Sequence, residues 1–233
     1  FATEALSMSA DEGVQMLGGY GYCSEYPLER MYRDERINRI FEGTNEINRM
    51  LIPGMLLKRA MKGELPLLAA AKKVQNELLE FPSFDDNGDE NPLAGEKKLI
   101  DNAKKVCLPT TGLAAQKYGD KLQQEQGVLG ALADIIIETF GMESAYLRTL
   151  KSLASLGEDE TATMIGMTRL YTNEAMGSID LWTREVLAAC SEGDELRTML
   201  AALRRLTRYV PIDALHLRLD IADYFNDKGK YEV

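Results

Sequence analysis

The amino-acid sequence predicts an all-α protein whose helices pack as bundles. Apolar residues recur three or four positions apart along most of the 233 residues, which is the spacing of one helix face. The longest such stripe is interpreted as core packing and contains Met164, Met167, Tyr171, Ala175, Ile179, Trp182, Val186 and Ala189. Residues 215–221 alternate as a strand would, but a helix is predicted because no partner strand is evident and the same segment also fits a helical face.

The first 62 residues predict three helices that are separated by turns. Residues 1–17 carry helical spacing and are followed by the glycine-rich turn 18–22. Pro27 favours an extended conformation for the residue before it, and helical spacing returns over residues 28–40.

The third of these helices is expected to begin at an N-cap, Thr44. Pro53 is expected to bend this helix, and Gly63 is expected to end it. A linker is predicted over residues 63–95. Its stretch 80–90 contains five acidic residues and no basic one, which is typical of a solvated and mobile segment.

The remainder of the chain predicts a second helical domain. Helical spacing over residues 97–121 is expected to be interrupted near Pro109, because proline lacks the backbone N–H that a helix needs. Pro211 is expected to occupy the first position of the last helix. The predicted organisation is therefore 1–62, a linker over 63–95, and 96–233.

The overall charge argues against two classes of binding partner. The formal net charge is -10 and the sequence pI is about 4.8. Nucleic acid and anionic membrane surfaces attract positive charge, so nucleic acid is not expected as a partner and membrane association is doubtful. No apolar run approaches the roughly 20 residues that a membrane span requires.

A metal site is not expected either. The cysteines Cys23, Cys107 and Cys190 are far apart, no CxxC motif occurs, and His216 is the only histidine. The cysteines are interpreted as ordinary thiols in a reducing compartment. The expected location is the cytoplasm of a bacterium, with the mitochondrion as the alternative.

The amino end suggests that the chain is a piece of a longer protein. The sequence starts at Phe1 rather than at a methionine, and residues 1–17 read as the middle of a helix without an N-cap. Such a piece is expected to lack parts of its own functional site.

The candidate functional residues begin with a group of glycines. Gly18, Gly19 and Gly21 would allow a backbone to approach a ligand closely, although a simple tight turn explains them equally well. Further along, Arg33 and Asp34 are interpreted as a structural ion pair.

A carboxylate in an apolar setting is the second candidate. Glu42 follows Phe41 and precedes Gly43, which frees the local backbone. Thr44 would then open a helix whose unpaired N–H groups and positive end suit an anionic group. Taken alone, a glutamate in this position is more typical of a surface residue or a helix cap.

The order of these residues carries a resemblance to a known family. The chain reads Gln-x-x-Gly-Gly-x-Gly-Tyr, then Tyr-Arg-Asp-x-Arg, then Ile-Phe-Glu-Gly-Thr-Asn-Glu-Ile. Over about residues 10–60 this closely resembles the C-terminal signature of the acyl-CoA dehydrogenase family. Residues 64–233 resemble the extra C-terminal helical domain of the very-long-chain branch. The resemblance implies a helical bundle that completes the family's C-terminal domain, followed by a second helical domain.

The resemblance implies a reaction. Family members are flavoproteins that oxidise an acyl-CoA thioester to trans-2-enoyl-CoA in fatty acid β-oxidation. Glu42 matches the glutamate that removes the α-proton while the β-hydrogen leaves as hydride to the flavin. Gly43 matches a residue that lines the substrate.

The resemblance also implies a cofactor and partners. Thr44 and Glu46 match a pair that contacts FAD, although the family often has Gln where Glu46 stands. Gln15, Gly18 and Gly19 match the strip that touches the FAD of the neighbouring subunit. A homodimer or tetramer is therefore expected, FAD binding and activity of this piece alone are not, and electron-transfer flavoprotein is the expected electron acceptor.

Two alternative functions remain open. The chain could be a non-catalytic helical module for dimerisation or partner docking, since the domains that make most flavin and thioester contacts in the family are absent from it. It could instead belong to an acyl-CoA oxidase, which passes the electrons to oxygen. The acyl chain length is not encoded in this segment.

Overall fold

The computed structural model describes residues 1–79 and 91–231, most of which are helical. The α-helices of this part are α1 (Ala2–Leu17), α2 (Pro27–Arg36), α3 (Asn45–Met61), α4 (Leu67–Leu79), α5 (Ala94–Tyr118), α6 (Gln126–Leu156), α7 (Glu158–Cys190), α8 (Gly193–Leu206) and α9 (Ala214–Lys228). Short 3-10 turns occupy Gly18–Tyr22, Ile37–Arg39 and Gly119–Gln124. The described residues form no strand, which confirms the predicted all-α class.

The chain divides into two units, Phe1–Ile52 and Pro53–Val233, and the division falls inside α3. In the first unit, α1 packs against α2 and against the 3-10 turn that follows α1. In the second unit, α5, α6 and α7 pack against one another, α4 and α8 lie on α5, and α9 lies on α7. The predicted boundaries at residues 62 and 95 stay predictions, and the acidic stretch 80–90 lies outside the described residues.

The core of the second unit contains threonine as well as aliphatic side chains. Its fully buried apolar residues include Leu93, Ile100, Leu132, Ile135, Met142, Met176, Ile179 and Val186. The Thr172 hydroxyl donates to the carbonyl of Thr168 at 2.7 Å, and the Thr149 and Thr168 hydroxyls lie 2.7 Å apart between α6 and α7. Such bonds offset the cost of burying a hydroxyl, so threonine can pack in this core.

The buried face of α7 differs from the predicted stripe. Ala175, Ile179 and Val186 are buried as predicted, but Ala189 is exposed. The other buried residues of α7 are Thr161, Ile165, Gly166, Thr168, Thr172, Met176, Thr183, Leu187 and Cys190. The predicted stripe left out the four threonines of this face and also apolar residues such as Ile165, Met176 and Leu187.

Pro109 does not interrupt α5, and the predicted break at this position is wrong. The helix runs unbroken past the proline while it packs against four neighbouring helices. Next to the proline, the Thr110 hydroxyl donates to the carbonyl of Val106 at 2.6 Å. Tertiary packing therefore outweighs the helix-breaking tendency of proline here, a penalty of about 3 kcal/mol in an isolated helix.

The start of the last helix also differs from the prediction. Residues 215–221 are helical as predicted, but Pro211 lies before α9 rather than at its first position. Asp213 is the N-cap, because its carboxylate accepts the backbone N–H of His216 at 3.1 Å. A capping side chain thus sets the start of this helix.

Candidate functional site

A glycine turn ends α1 and contains the first group of predicted site residues. Gly18 has φ of +57°, a conformation that glycine adopts readily. Gly21 is buried, and a Cβ at this position would lie 2.6 Å from the carbonyl oxygen of Val14. By contrast, none of the described atoms would lie within 4 Å of a Cβ at Gly18 or Gly19. The turn therefore needs Gly21 for its own packing and leaves the backbone of the other two glycines open to a ligand.

Glu42 lies in a strained turn between the 3-10 turn Ile37–Arg39 and α3. Among the residues that the structure describes, it alone combines a side chain with a positive φ, at +56°. This conformation costs a non-glycine residue about 1–3 kcal/mol, and such strain clusters at functional sites. Gly43 follows with φ of +86°, and the Asn48 side-chain amide donates to the Gly43 carbonyl at 2.9 Å. This hydrogen bond holds the turn onto the first turn of α3.

Thr44 caps α3, as predicted. The backbone N–H of Ile47 donates to Thr44 Oγ1 at 3.2 Å, and the N–H of Asn48 donates to the Thr44 carbonyl at 2.9 Å. Hydrogen bonds from its own backbone N–H and from Thr44 hold the pKa of Glu46 below its usual range. The positive end of α3 therefore already faces one carboxylate that the chain itself provides.

Side chains near the amino end of α1 join it to the start of α3. Glu4 accepts hydrogen bonds from Arg49 Nη2 at 2.9 Å and from Asn45 Nδ2 at 3.2 Å. The Arg49 hydrogen bond lowers the pKa of Glu4 against the opposing effect of burial. These contacts fix the first turn of α3 relative to α1 and so support the turn that carries Glu42.

The predicted ion pair between Arg33 and Asp34 is wrong. Arg33 Nη2 lies 2.5 Å from Glu29 Oε1, whereas Asp34 pairs with Arg30 at 3.5 Å. Both pairs join residues four positions apart, which are neighbours on a helix surface. Adjacent residues in a helix point in different directions, so the side chains of Arg33 and Asp34 are poorly placed to pair with each other.

A second pair, Glu35 with Arg39, was missed by the sequence reasoning. Glu35 is only 3% exposed, and its Oε1 lies 3.6 Å from Arg39 Nη2. Within the described residues, neither oxygen of this carboxylate accepts a hydrogen bond and Arg39 Nε donates none. The sequence signal for this pair was the spacing of four residues between Glu35 and Arg39, which places them on one helix face. The end of α2 therefore has buried hydrogen-bonding groups that the described residues leave unused.

The predicted site residues lie at two places on the surface of the first unit. Exposed among them are Gln15, Gly18, Gly19, Glu42, Gly43 and Glu46, while Thr44 is half-buried. Exposed apolar side chains accompany them, among them Met16 at 81%, Tyr20 at 65% and Phe41 at 50%. The apolar enclosure expected around Glu42 is therefore not formed by the described residues. An exposed apolar surface of this kind is typical of a contact with another protein surface or a ligand.

Over residues 1–79 and 91–231, no cluster of His, Cys, Asp or Glu side chains is arranged to hold a metal ion. Among the helices of the same residues, none is both long and apolar enough to cross a membrane.

Two models of the family described as "Acyl-CoA dehydrogenase, C-terminal domain" match the chain. One matches residues 1–57 and the other matches residues 102–205, which together make up more than half of the chain. The chain therefore belongs to the acyl-CoA dehydrogenase C-terminal domain family. The first match contains all of the predicted site residues.

Individual relatives show the same similarity. A probable acyl-CoA dehydrogenase of Bacillus subtilis (strain 168) is 45% identical over 234 residues, covering 100% of this chain and 39% of the relative. The crystal structure of an acyl-CoA dehydrogenase complexed with FAD from Bacillus anthracis has a TM-score of 0.94 and 46% identity, covering 99% of this chain and 39% of that one. The CarC subunit of a caffeyl-CoA reductase-Etf complex from Acetobacterium woodii is 49% identical over 59 residues, covering 25% of this chain and 16% of the relative. The chain thus spans 39% of the length of the two Bacillus proteins.

Proposed function

We propose that the chain forms the C-terminal part of a flavin-dependent acyl-CoA dehydrogenase and provides its catalytic base, Glu42. The proposed reaction is the oxidation of an acyl-CoA thioester to trans-2-enoyl-CoA in fatty acid β-oxidation. The observation that carries the proposal is the strained, left-handed backbone of Glu42 on an exposed apolar surface. The coverage of the Bacillus relatives supports the view that this chain is one part of a longer enzyme.

Glu42 is proposed to take the proton from the α-carbon of the substrate. A thioester α-proton is weakly acidic, so the base must be close to it and poorly solvated. The carboxylate accepts the proton, the electron pair of the broken C–H bond forms the new C=C bond, and the β-hydrogen leaves as hydride. FAD supplies the acceptor for this hydride when it is bound. Gly43 is proposed to line the substrate next to the base.

Five residues are proposed to contact FAD. The open space at Gly18 and Gly19, where a Cβ would meet none of the described atoms, fits the close approach of a flat ligand to the backbone. Gln15 is exposed in the last turn of α1, just before the glycines, and is proposed to contact the FAD of a neighbouring subunit together with them. Thr44 and Glu46 are proposed to contact FAD from the start of α3.

The exposed apolar surface supports an assembly larger than this chain. Met16, Tyr20 and Phe41 are large apolar side chains that are at least half exposed, and apolar area is costly to leave in water. We propose that they are covered by the other domains of the enzyme and by a second subunit in a homodimer or tetramer. The chain by itself is expected neither to bind FAD nor to be active, because the rest of its site comes from elsewhere.

Three further assignments are proposed: the electron acceptor, the location and the branch of the family. Electron-transfer flavoprotein is the proposed electron acceptor, supported by the Etf complex named for the Acetobacterium woodii relative. A bacterial cytoplasm is the proposed location, with the mitochondrion as the alternative; the two Bacillus relatives support only a bacterial origin. The very-long-chain branch is proposed from the second helical unit, although the Bacillus names specify no chain length.

Flavin reduction in the full-length protein tests the proposed reaction. The purified protein should be yellow, and its flavin absorbance should bleach without oxygen when an acyl-CoA of suitable length is added. No bleaching across a series from short to very long acyl-CoAs would reject the proposal. Rapid reoxidation by oxygen during turnover would indicate an acyl-CoA oxidase instead. A stoichiometrically yellow preparation of residues 1–233 alone would contradict the expectation that this chain does not bind FAD by itself.

A second candidate function is supported by the independent core of the second unit. None of the predicted site residues lies in Pro53–Val233, whose core is formed by α5, α6 and α7. This unit would suit a role in dimerisation or partner docking. A variant of the full-length protein without residues 96–233 that kept FAD and bleaching but lost its oligomeric state would support this role. Unchanged oligomerisation, measured by light scattering, would argue against it.

A further inference from the structure

A cavity of about 310 Å³ lies between α5, α7 and α8 in the second unit. Its walls include Val106 and Leu113 from α5, Leu187 from α7, and Met199 and Leu203 from α8. None of its lining residues carries a charge, and none belongs to the proposed active site. The volume falls at the lower end of the range of small-molecule sites in proteins.

One polar atom in this cavity has no partner. Thr183 lines the cavity, is 1% exposed, and its Oγ1 makes no hydrogen bond. The other buried threonines of the described residues all bond, with Thr110, Thr161 and Thr172 each reaching the carbonyl four residues earlier. A buried hydroxyl without a partner costs free energy, which a hydrogen-bonding group within the cavity would offset.

The lining restricts the chemistry of that group. A charged ligand group placed against this lining would meet no counter-charge, which is unfavourable. At roughly 30 Å³ for each group of the size of a water molecule, the cavity holds about ten such groups. The apolar walls favour methylene groups at all positions except the one beside Thr183.

We propose that this cavity binds a neutral aliphatic molecule of about ten heavy atoms whose single oxygen hydrogen bonds to Thr183. A medium-chain alcohol, aldehyde or ketone belongs to this class. The site is independent of the proposed dehydrogenase reaction, since it shares no residue with Glu42 or the proposed FAD contacts.

The test uses 1-octanol as the probe and the full-length protein with methyl-labelled methionine. Met199 lines the cavity, so its methyl NMR signal reports binding at this place and not at the active site. Met199→Leu identifies the signal. The proposal predicts a saturable shift of this signal with 1-octanol and at least tenfold weaker binding of octanoate, whose carboxylate would meet no counter-charge.

Two variants on α8 separate cavity binding from general adsorption. Ala202 lines the cavity, whereas the neighbouring Ala201 is exposed and does not line it. Ala202→Phe should weaken 1-octanol binding at least tenfold by filling the cavity, and Ala201→Phe should leave it unchanged. Equal affinity in the two variants, or no saturable shift in the unsubstituted protein, would overturn the proposal.

Thr183→Val tests the polar contact without a change of side-chain shape. The variant should weaken 1-octanol binding by about threefold to tenfold, which is the contribution of one hydrogen bond. The melting temperature of the ligand-free variant should be unchanged or higher, because an unpaired buried hydroxyl has been removed. Unchanged 1-octanol affinity in this variant would overturn the proposed hydrogen bond, and octanoate binding as tight as 1-octanol would overturn the restriction to neutral ligands.

Discussion

The two units of the chain bury their apolar side chains to very different extents. In Phe1–Ile52 the buried residues include only Ala10, Gly13, Gly21 and Glu35 within the helices and turns of that unit. In Pro53–Val233, α5, α6 and α7 share a core of large aliphatic and threonine side chains. The predicted site residues all lie in the unit with little core of its own. The difference indicates that the second unit is stabilised from within, whereas the first presents its apolar surface for contacts with other parts of an enzyme.

The largest expected effect on stability is the difference between a leucine-to-alanine substitution in the second unit and one in the first unit. Leu132 in α6 is completely buried, so Leu132→Ala should lower the free energy of unfolding of residues 1–233 by about 2–5 kcal/mol. Leu51 in α3 is 54% exposed, so Leu51→Ala should change it by less than about 0.5 kcal/mol. Urea unfolding measures both values. Similar losses for the two variants would break the contrast between the units.

The glycine turn provides a smaller and more local test in the first unit. Gly21→Ala places a methyl group 2.6 Å from the Val14 carbonyl oxygen, so the turn must shift at a cost of about 1–3 kcal/mol. Gly19→Ala is the matched control, because its methyl group would meet none of the described atoms within 4 Å. Hydrogen exchange of the α1 amides should speed up in the first variant only. Equal protection of α1 in both variants would show that close packing does not hold this turn.

Substitution of Thr44, the N-cap of α3, tests whether the turn that carries Glu42 is stabilised by this side chain. Thr44→Ala should cost about 0.5–2 kcal/mol of local stability, because the N–H of Ile47 loses its acceptor at 3.2 Å. The Ile47 amide should then exchange faster with solvent. Thr44→Ser keeps the hydroxyl and should retain most of the protection. If Thr44→Ser and Thr44→Ala behaved alike, the hydroxyl would not be the cap.

The smallest effect concerns the exposed cap of α9 in the second unit. The Asp213 carboxylate lies 2.6 Å from His216 Nδ1 and raises the pKa of His216, while the hydrogen bond from His216 lowers the pKa of Asp213. Protonated His216 is thus favoured in the folded state. This contribution is complete below the unfolded-state pKa of histidine and is lost as the pH rises through the folded-state value.

An NMR titration of His216 measures this shift directly, because the sequence contains one histidine. The folded protein should give a pKa above the ordinary value for histidine, and Asp213→Asn should return it towards that value. A pKa that is the same in both proteins would show that the carboxylate does not act on His216.

Helical periodicity and capping chemistry predicted much of the fold. The helix expected over residues 1–17 is found as Ala2–Leu17, and Thr44 caps α3 as expected. These features depend on neighbours in the sequence, which a pattern can reveal. The continuity of α5 past Pro109 and the threonine-rich face of α7 depend on neighbouring helices, so the sequence pattern did not predict them.

The candidate site residues were selected from the sequence and stay predictions, whereas most of their geometry could not be predicted. The glycines and Glu42 were selected from the sequence, but the positive φ of Glu42 has no local sequence signal other than the glycine after it. The buried carboxylate of Glu35, which accepts no hydrogen bond from the described residues, was missed because burial depends on the packing of the whole unit. The proposed role of Glu42 rests on the family motif and the strained turn together, and it stays a proposal.

The most direct test of the central claim is the rate of flavin bleaching by an acyl-CoA in the full-length protein with Glu42→Gln. Glu158→Gln is the matched control, because Glu158 is an exposed carboxylate at the start of α7 in the second unit. If Glu42 is the base, Glu42→Gln should keep its FAD but bleach several orders of magnitude more slowly, while Glu158→Gln bleaches at the unsubstituted rate. Bleaching by Glu42→Gln at a rate close to that of the unsubstituted protein would contradict the assignment of Glu42 as the base.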